Sequence, residues 1–206
     1  MLEGPEGAGK STQLALLATR LAALGCDYVL TREPGGTQAG DAIRTILLDP
    51  AQQIEPLAEF LLYSASRAQL VGEVIAPALR AGKNVLSDRF TGASVAYQGF
   101  GRGLDLDLIE LLNARVSQGL SPDLTVLLDI DPATGLGRAA ARSHHDRLEA
   151  ESHEFHERVR AGYVSHAQKH PDWLLIDGAA AEAAVAARIW AAVEPLLTTR
   201  AGRVVR

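Results

Sequence analysis

Near its amino terminus the chain reads GPEGAGKS over Gly4–Ser11, which matches the phosphate-binding pattern G-x-x-x-x-G-K-[ST]. Glycines in such a loop keep side chains away, so that backbone N–H groups point inward at phosphate oxygens. Apolar side chains then recur at helical spacing, which predicts a helix from Lys10 whose positive dipole end also attracts phosphate. In loops of this kind the lysine reaches the β- and γ-phosphates and the serine hydroxyl binds Mg²⁺. The stretch predicts a nucleoside triphosphate site.

The strand that leads into this loop is short. A buried strand of roughly five residues is expected just before a phosphate-binding loop. Here only Met1, Leu2 and Glu3 precede Gly4. We therefore expect a central strand that is shortened at its start, and a sheet that an added apolar segment would stabilise.

The composition indicates one domain. A chain of 206 residues with 47% hydrophobic side chains is long enough to bury its own core. It contains neither a membrane-spanning apolar run nor a signal-peptide pattern. Cys26, its single cysteine, excludes an internal disulfide and is typical of the reducing cytoplasm, and a net charge of −5 argues against bulk nucleic-acid binding. We expect a cytoplasmic domain over residues 1–206 that binds neither membranes nor nucleic acid.

Short apolar runs alternate with helical patterns along the chain, which predicts an α/β fold. The sheet should be parallel, of the P-loop type, with about five strands of which the first is truncated, and with helices on both faces. After the first strand, the predicted strands are Tyr28–Thr31, Asn84–Ser87, Leu124–Ile130 and Trp173–Ile176. The predicted helices after the first are Gln38–Leu48, Pro56–Ala81 with weak points at Gly72 and Pro77, Asp105–Gly119, Glu149–His170 lying over the surface, and Glu182–Leu197.

Charged pairs follow two of the predicted strands. Asp88-Arg89 ends one strand, and Arg32-Glu33 ends another just before a Pro-Gly-Gly turn. Ligands of open α/β sheets bind at the carboxyl ends of strands, where an aspartate can hold Mg²⁺ and an arginine fork can bind phosphate. The alternatives are a surface ion pair and a turn with solvated charges.

Two further segments carry groups suited to a flat polar ligand. Tyr63 and Arg67 are four residues apart on one helix face, where a ring and a guanidinium can stack on a base and bind its edge. An ordinary surface cation–π pair is the alternative. The glycine-rich segment Ala93–Gly103 is either a flexible loop or a source of hydrogen-bonding groups. Its candidates are Ser94, Tyr97 and Gln98.

A basic stretch follows the fourth strand and supplies Arg138, Arg142 and Arg147. Phosphoryl transfer needs cations near the developing charge, and a mobile segment can deliver them as it closes. We expect a mobile lid over residues 138–149; the alternative is a solvated charged helix.

Taken together, these segments resemble the bacterial thymidylate kinases, which are P-loop nucleoside-monophosphate kinases. The resemblance is carried by residues 4–12, 31–37, 88–90, 96–99 (AYQG) and 146–149 (DRLE), and it extends over nearly the whole chain. It implies a homodimeric, cytoplasmic enzyme of nucleotide biosynthesis that phosphorylates dTMP to dTDP with ATP and Mg²⁺.

The resemblance also implies roles for individual residues. The ATP-binding set is Gly4, Pro5, Glu6, Gly7, Ala8, Gly9, Lys10, Ser11 and Thr12, with Ser11 and Asp88 at the metal. The catalytic set is Lys10, Arg89, Arg142, Arg147 and Arg138, with Arg142 favoured for the transferred phosphoryl group and Arg147 next. The dTMP-binding set is Arg32, Glu33, Arg44, Tyr63 on the base, Arg67 at O4, Arg89 on the phosphate, Ser94, Tyr97 near the sugar 2′ position, and Gln98.

Two other functions are compatible with a P-loop. Another nucleoside-monophosphate kinase would share the loop but not the thymidylate-like base-facing residues. A GTP-driven switch or ATPase module without a nucleotide acceptor would share the loop alone. The chain contains no Asn-Lys-x-Asp guanine-reading motif, which disfavours a GTPase.

Overall fold

The computed structural model describes residues 1–141 and 146–201, with side chains described up to Leu197. Its sheet has five parallel strands in the order β2-β3-β1-β4-β5. The strands are β1 Leu2–Glu3, β2 Tyr28–Arg32, β3 Asn84–Asp88, β4 Thr125–Asp129 and β5 Trp173–Asp177. The predicted α/β fold with a parallel, five-stranded sheet is confirmed.

Helices cover both faces of this sheet. They are α1 Lys10–Ala23, α2 Gln38–Leu48, α3 Pro56–Leu70, α4 Ala76–Arg80, α5 Thr91–Ser94, α6 Leu106–Val116, α7 Pro132–Ala140, α8 His153–Lys169 and α9 Glu182–Ala201. Strand β4 shows the layering, because alternate side chains of a strand point to opposite faces. Val126 and Leu128 pack with α1 and α9, while Leu127 packs with Tyr97 and Tyr163 on the other face. In the described part of the chain no helix is long and apolar enough to cross a bilayer.

The helical run predicted over Pro56–Ala81 is present, but it is not α-helical throughout. A π-helical stretch, Val71–Ile75, separates α3 from α4, and the Ala76 N–H donates to Val71 O. The wider turn contains Gly72 and comes just before Pro77, the two weak points of the sequence. Proline lacks the N–H that an α-helix needs at this point, and its ring crowds the preceding turn.

Two segments near the site differ from the simplest sequence expectation. Helix α8 was expected to lie over the surface, yet Phe155, Val159 and Tyr163 on one of its faces are buried. The segment Ala93–Gly103 is helical for most of its length, because α5 continues into a second π-helical stretch, Val95–Gly101. These two segments pack on each other, and burial in that contact orders a glycine-rich sequence that would otherwise favour a loop.

Strand β1 is short, as the sequence predicted. Leu2 pairs with Asp88 and Val126, and Glu3 pairs with Leu127, whereas β2 and β3 pair over five residues each. A cavity of about 260 Å³ opens between β3 and β4 at the amino end of β1. Its lining is mostly apolar and includes Met1, Leu14, Val85, Leu124 and Ile189.

An apolar extension of β1 should stabilise the protein. Fusing Val-Ile-Val ahead of Met1 would add backbone pairs to β3 and β4 and bury side chains in this cavity, at ~1.5–3 kcal/mol for each fully buried side chain. We expect the melting temperature to rise by ~5 °C or more. A polar Ser-Thr-Ser extension of equal length is the control. Equal melting temperatures for the two extensions in thermal unfolding would contradict the prediction.

Candidate active site

The phosphate-binding loop needs glycine for its shape. Gly7 has φ = 67°, and a Cβ atom there would overlap Gly135 O of α7. Gly9 has φ = 93° and occupies the N-cap of α1, so that the helix begins at Lys10 with its N–H groups facing the loop. The backbone therefore forms an anion-binding concavity at the amino end of α1.

Lys10 lies inside this loop. Its side chain is buried, and Nζ donates to Gly4 O at 2.9 Å and to Pro5 O at 2.8 Å. Burial, with a contribution from the Arg89 charge, lowers the pKa of Lys10 to about 8. An approaching phosphate would reverse this effect, because an anion favours the charged ammonium.

Ser11 and Asp88 meet at the carboxyl edge of the sheet. Ser11 Oγ donates to Asp88 Oδ2 at 2.9 Å, and both groups are open to solvent on the side of the loop. Hydroxyl and carboxylate oxygens are hard ligands of the kind that Mg²⁺ prefers, and Mg²⁺ takes its remaining ligands from water and nucleotide phosphates. Within residues 1–141 and 146–201, no cluster of three His, Cys, Asp or Glu side chains is placed to bind a metal. The pair fits a magnesium ion shared with a nucleotide and does not form a closed metal site.

Arg89 connects the loop to two other elements, α8 and the second π-helical stretch. It directly follows β3, with φ = 70°, which turns its side chain back over the P-loop. Its NH1 donates to Gly4 O at 2.9 Å and to Tyr163 Oη at 2.8 Å. Its NH2 donates to Glu6 Oε1 at 2.7 Å and to Tyr97 Oη at 3.1 Å. A left-handed arginine costs conformational energy, and these contacts compensate for that cost.

The pKa values of the two glutamates near Arg89, Glu3 and Glu6, are shifted in opposite directions. Burial disfavours the charge of Glu6, but Arg89 and Lys10 outweigh it and lower the pKa of Glu6 to about 2. Burial dominates at Glu3 and raises its pKa. Glu3 nevertheless accepts hydrogen bonds from Phe90 N at 2.8 Å and from Tyr163 Oη at 2.9 Å. Tyr163 thus links Glu3 to Arg89 and holds the guanidinium from behind.

An inner cavity of about 80 Å³ opens beside Arg89. Seven of the residues that sequence analysis assigned to nucleotide binding line it: Glu6, Glu33, Arg44, Tyr63, Arg89, Tyr97 and Gln98. Pro34, Leu48, Ala93, Asp146 and Leu148 complete the lining. The cavity therefore brings together residues from the P-loop, three separate helical segments and the end of the predicted lid.

Two candidates lie behind this cavity and do not line it. Arg67 is 1% exposed and donates to Glu33 Oε2 at 2.7 Å, to Asn113 Oδ1 at 2.6 Å, to Phe90 O and to Ser94 Oγ at 3.1 Å. Burial raises the pKa of Glu33 to about 7, against the opposing charge of Arg67. Ser94 is likewise buried.

Arg32 lies apart from this network. It ends β2 in register with Asp88, and its guanidinium lies 3.3 Å from Asp41 on the exposed edge of the site.

A second, outer cavity of about 440 Å³ also borders the loop. Gly7, Ala8, Gly9 and Thr12 form one wall, and Arg138 and the residues after β5 form the other. Arg138 NH1 donates to Gly178 O at 3.0 Å, which holds α7 against that turn. The loop therefore contributes residues to both cavities, Glu6 to the inner one and Gly7, Ala8, Gly9 and Thr12 to the outer one.

The three arginines of the predicted lid have different surroundings. Arg138 faces the outer cavity. Arg142 lies outside the described residues. Arg147 is buried, and it donates to Leu47 O at 2.9 Å and forms an ion pair with Glu59 at 2.7 Å.

Sequence analysis missed several supporting residues. Glu3 and Tyr163 orient Arg89, Asn113 orients Arg67, and Glu59 binds Arg147. A charged residue at the end of an otherwise buried strand was a usable signal for Glu3. The others come from distant helices, and no local pattern identifies their partners.

A phosphate-binding loop at the amino end of a helix, on a parallel sheet with helices on both faces, is typical of P-loop nucleotide-binding proteins. A family model described as thymidylate kinase matches residues 2–189. The chain belongs to the thymidylate kinase family, and the predicted resemblance is confirmed.

Relatives match this chain over most of its length. A thymidylate kinase of Deinococcus radiodurans is 57% identical over 193 residues, which cover 93% of this chain and 94% of the relative. A thymidylate kinase of Synechococcus sp. is 52% identical over 199 residues, which cover 95% of this chain and 94% of the relative. The crystal structure of thymidylate kinase from Ehrlichia chaffeensis superposes with a TM-score of 0.77 at 33% identity, covering 94% of this chain and 96% of that one.

ATP binding should take up a proton at alkaline pH. Lys10 has a lowered pKa of about 8 in the free protein, so at pH 9 it is mostly neutral, and bound phosphates should raise that pKa and restore the charge. At pH 9 we expect the protein to take up about one proton for each ATP that binds. The affinity for ATP should weaken as the pH rises above about 8. Calorimetric titration with ATP in two buffers of different ionisation enthalpy measures this uptake. Lys10→Arg, which stays charged, should bind without it, and equal uptake by both proteins would refute the assignment.

Proposed function

We infer that this member of the thymidylate kinase family transfers the γ-phosphoryl group of ATP to the phosphate of dTMP, which yields dTDP. The observation that carries this inference is that the P-loop borders two separate cavities, an outer and an inner one. A transferase of this kind must hold two nucleotides with their phosphates meeting at one point. Lys10 and Arg89 lie at that point, one in the loop and one beside it.

ATP binds from the outer cavity in this proposal. The loop N–H groups and Lys10 hold its phosphates, and the base lies in the outer cavity between Arg138 and the turn at Gly178. Mg²⁺, held by Ser11 and Asp88, supplies charge to the phosphate oxygens when bound. The two oxygens lie 2.9 Å apart, close enough to contact one ion, which supports the metal assignment.

The acceptor occupies the inner cavity. The Tyr63 ring stacks on thymine, Gln98 binds the base edge, and Tyr97 borders the sugar. Ser94 and Arg67 lie behind this edge and support it through their hydrogen bond. Arg89 binds the monophosphate, with Glu33 and Arg44 nearby. Arg32 would have to reach the monophosphate from the exposed edge of the site, where it lies in register with Asp88 and pairs with Asp41. Because Arg89 NH2 donates to Glu6, an acceptor phosphate must share or displace that carboxylate.

The transfer itself needs no strong base, because the acceptor phosphate is already anionic. The enzyme must bring two anions together and compensate their repulsion, which is the role of Lys10, Arg89 and a lid arginine. Arg147 is engaged with the buried carboxylate of Glu59, which supports Arg142 for the transferred group. Closure of the segment 138–149 would also exclude water and limit hydrolysis of ATP.

Exposed leucines support a homodimer. Helices α3 and α6 are neighbours, and each exposes two leucines. The exposed fractions are 47% for Leu57 and 48% for Leu61 on α3, and 37% for Leu108 and 58% for Leu111 on α6. Pairing these leucines across a twofold axis would remove them from water.

A cytoplasmic location suits this reaction. The substrates are ATP and a nucleotide, which are cytoplasmic metabolites. Cys26, a partly buried free thiol, is compatible with a reducing compartment.

Activity assays with a panel of acceptor nucleotides test the proposed function. ADP formation from Mg-ATP is measured with dTMP, dUMP, dCMP, dGMP, dAMP and UMP. We expect strong stimulation by dTMP, weaker stimulation by dUMP and almost none by the others, because the inner cavity pairs an aromatic face with polar groups for one base edge.

Arg89→Lys keeps the charge but loses the guanidinium fork, and it should reduce kcat/KM for dTMP by about tenfold or more.

Other outcomes of the panel would overturn the assignment. Comparable stimulation by several acceptors would indicate a different nucleoside-monophosphate kinase. ADP formation that is indifferent to every acceptor would indicate an ATPase or switch module.

The dimer has its own test. Leu111→Glu places a charge in the exposed apolar patch and should shift the protein to monomers in sedimentation equilibrium. Leu24→Glu is a matched control, since Leu24 is also 58% exposed but follows α1. A monomeric parent protein, or equal dimerisation of both variants, would contradict the proposed interface.

A further inference from the structure

Glu59 is a buried carboxylate beside the inner cavity, and it contacts neither substrate in the proposed phosphoryl transfer. It lies on α3 one turn before Tyr63, and it is 0% exposed. Its Oε1 accepts hydrogen bonds from Gln98 Nε2 at 2.9 Å and from Arg102 Nε at 3.3 Å. Its Oε2 lies 3.0 Å from Arg102 NH2 and 2.7 Å from Arg147 NH1. Two guanidinium groups thus compensate the charge that also holds the Gln98 amide.

This contact determines which end of the Gln98 amide is available to a ligand. An ionised carboxylate only accepts hydrogen bonds, so it selects the NH2 end of the amide. The flipped amide would place its carbonyl oxygen against the carboxylate, with two acceptors facing each other. Gln98 lines the inner cavity, and within the described residues no hydrogen bond engages its Oε1. The carbonyl oxygen is therefore the end that a bound base can reach.

A carbonyl oxygen in this position distinguishes pyrimidines by their N3 atom. Thymine and uracil carry a hydrogen on N3 and can donate to it. Cytosine presents an unprotonated N3, which is an acceptor, so the two groups would repel and stay without partners. Sites that leave a buried polar group unpaired discriminate strongly against the wrong ligand.

We propose that Glu59 is a specificity-positioning residue, which holds the Gln98 carbonyl toward the ligand and so selects bases with an N3–H group. The proposal builds on the proposed function, because it places the base in the inner cavity. Glu59 acts through Gln98 and does not itself contact the substrate.

Glu59→Gln tests the proposal, because an amide at this position can donate or accept and no longer imposes one orientation on Gln98. The ratio of kcat/KM for dTMP to that for dCMP should fall by about tenfold or more. The fall should arise mainly from a higher KM for dTMP, with kcat and the KM for ATP unchanged. A purely structural role would change kcat and the ATP parameters as well.

A double-mutant cycle shows whether Gln98 carries the effect. In a Gln98→Met background, which has no amide to orient, Glu59→Gln should leave the dTMP-to-dCMP ratio unchanged. An equal fall in both backgrounds would overturn the proposal, and so would an unchanged ratio in the single variant.

The charge lost in Glu59→Gln is controlled separately. Arg102→Gln alone keeps the contact between Glu59 and Gln98, so its ratio should match the parent protein. The double variant Glu59→Gln/Arg102→Gln restores the local charge balance and replaces the single variant if that fails to fold.

A parent enzyme that does not phosphorylate dTMP would refute the proposed function, whereas an active parent with an unaffected Glu59→Gln ratio would refute this inference alone.

Discussion

The organisation of the site depends on the guanidinium of Arg89. It is held by the P-loop carbonyl of Gly4, the carboxylate of Glu6 and two tyrosine hydroxyls. These four partners come from three separate parts of the chain: the loop, the second π-helical stretch and α8. A planar group with fixed donor directions can meet such partners only if all of them are positioned. The end of β3, the loop and the two helical segments are therefore ordered together.

Buried charge surrounds this arginine, and each charge has a partner. Arg67 is paired with Glu33, and Glu59 with Arg102 and Arg147, at distances of 3.0 Å or less. Buried ion pairs contribute little net stability, because desolvation offsets most of the attraction. In this site the ion pairs fix side-chain orientation. Each pair holds a side chain that faces the inner cavity, or one that supports such a side chain.

The π-helical stretch Val95–Gly101 explains how two adjacent residues serve different ends of the site. Tyr97 Oη donates to Glu6 at 2.6 Å, next to Arg89, while Gln98 binds Glu59 on α3. The wider turn changes the angle between successive side chains and lets both reach the same cavity. Packing against α8 stabilises this less common geometry, as Gly101 fits closely against Phe155 and Val159.

Local sequence patterns were sufficient for the P-loop, the parallel sheet, the shortened β1 and most helix positions. These features follow from spacing, from glycine conformations and from alternating strands and helices, all of which are short-range properties. The motif residues that line the inner cavity were also recognisable as a set. The contacts of Arg67, Arg147 and Glu59 were not, because their partners are 23 to 100 residues away in the chain. Only the tertiary structure decided that α8 buries one face, that Ala93–Gly103 is helical and that Arg147 pairs with Glu59. In each case long-range packing and the need to pair a buried charge outweighed the local preference of the sequence.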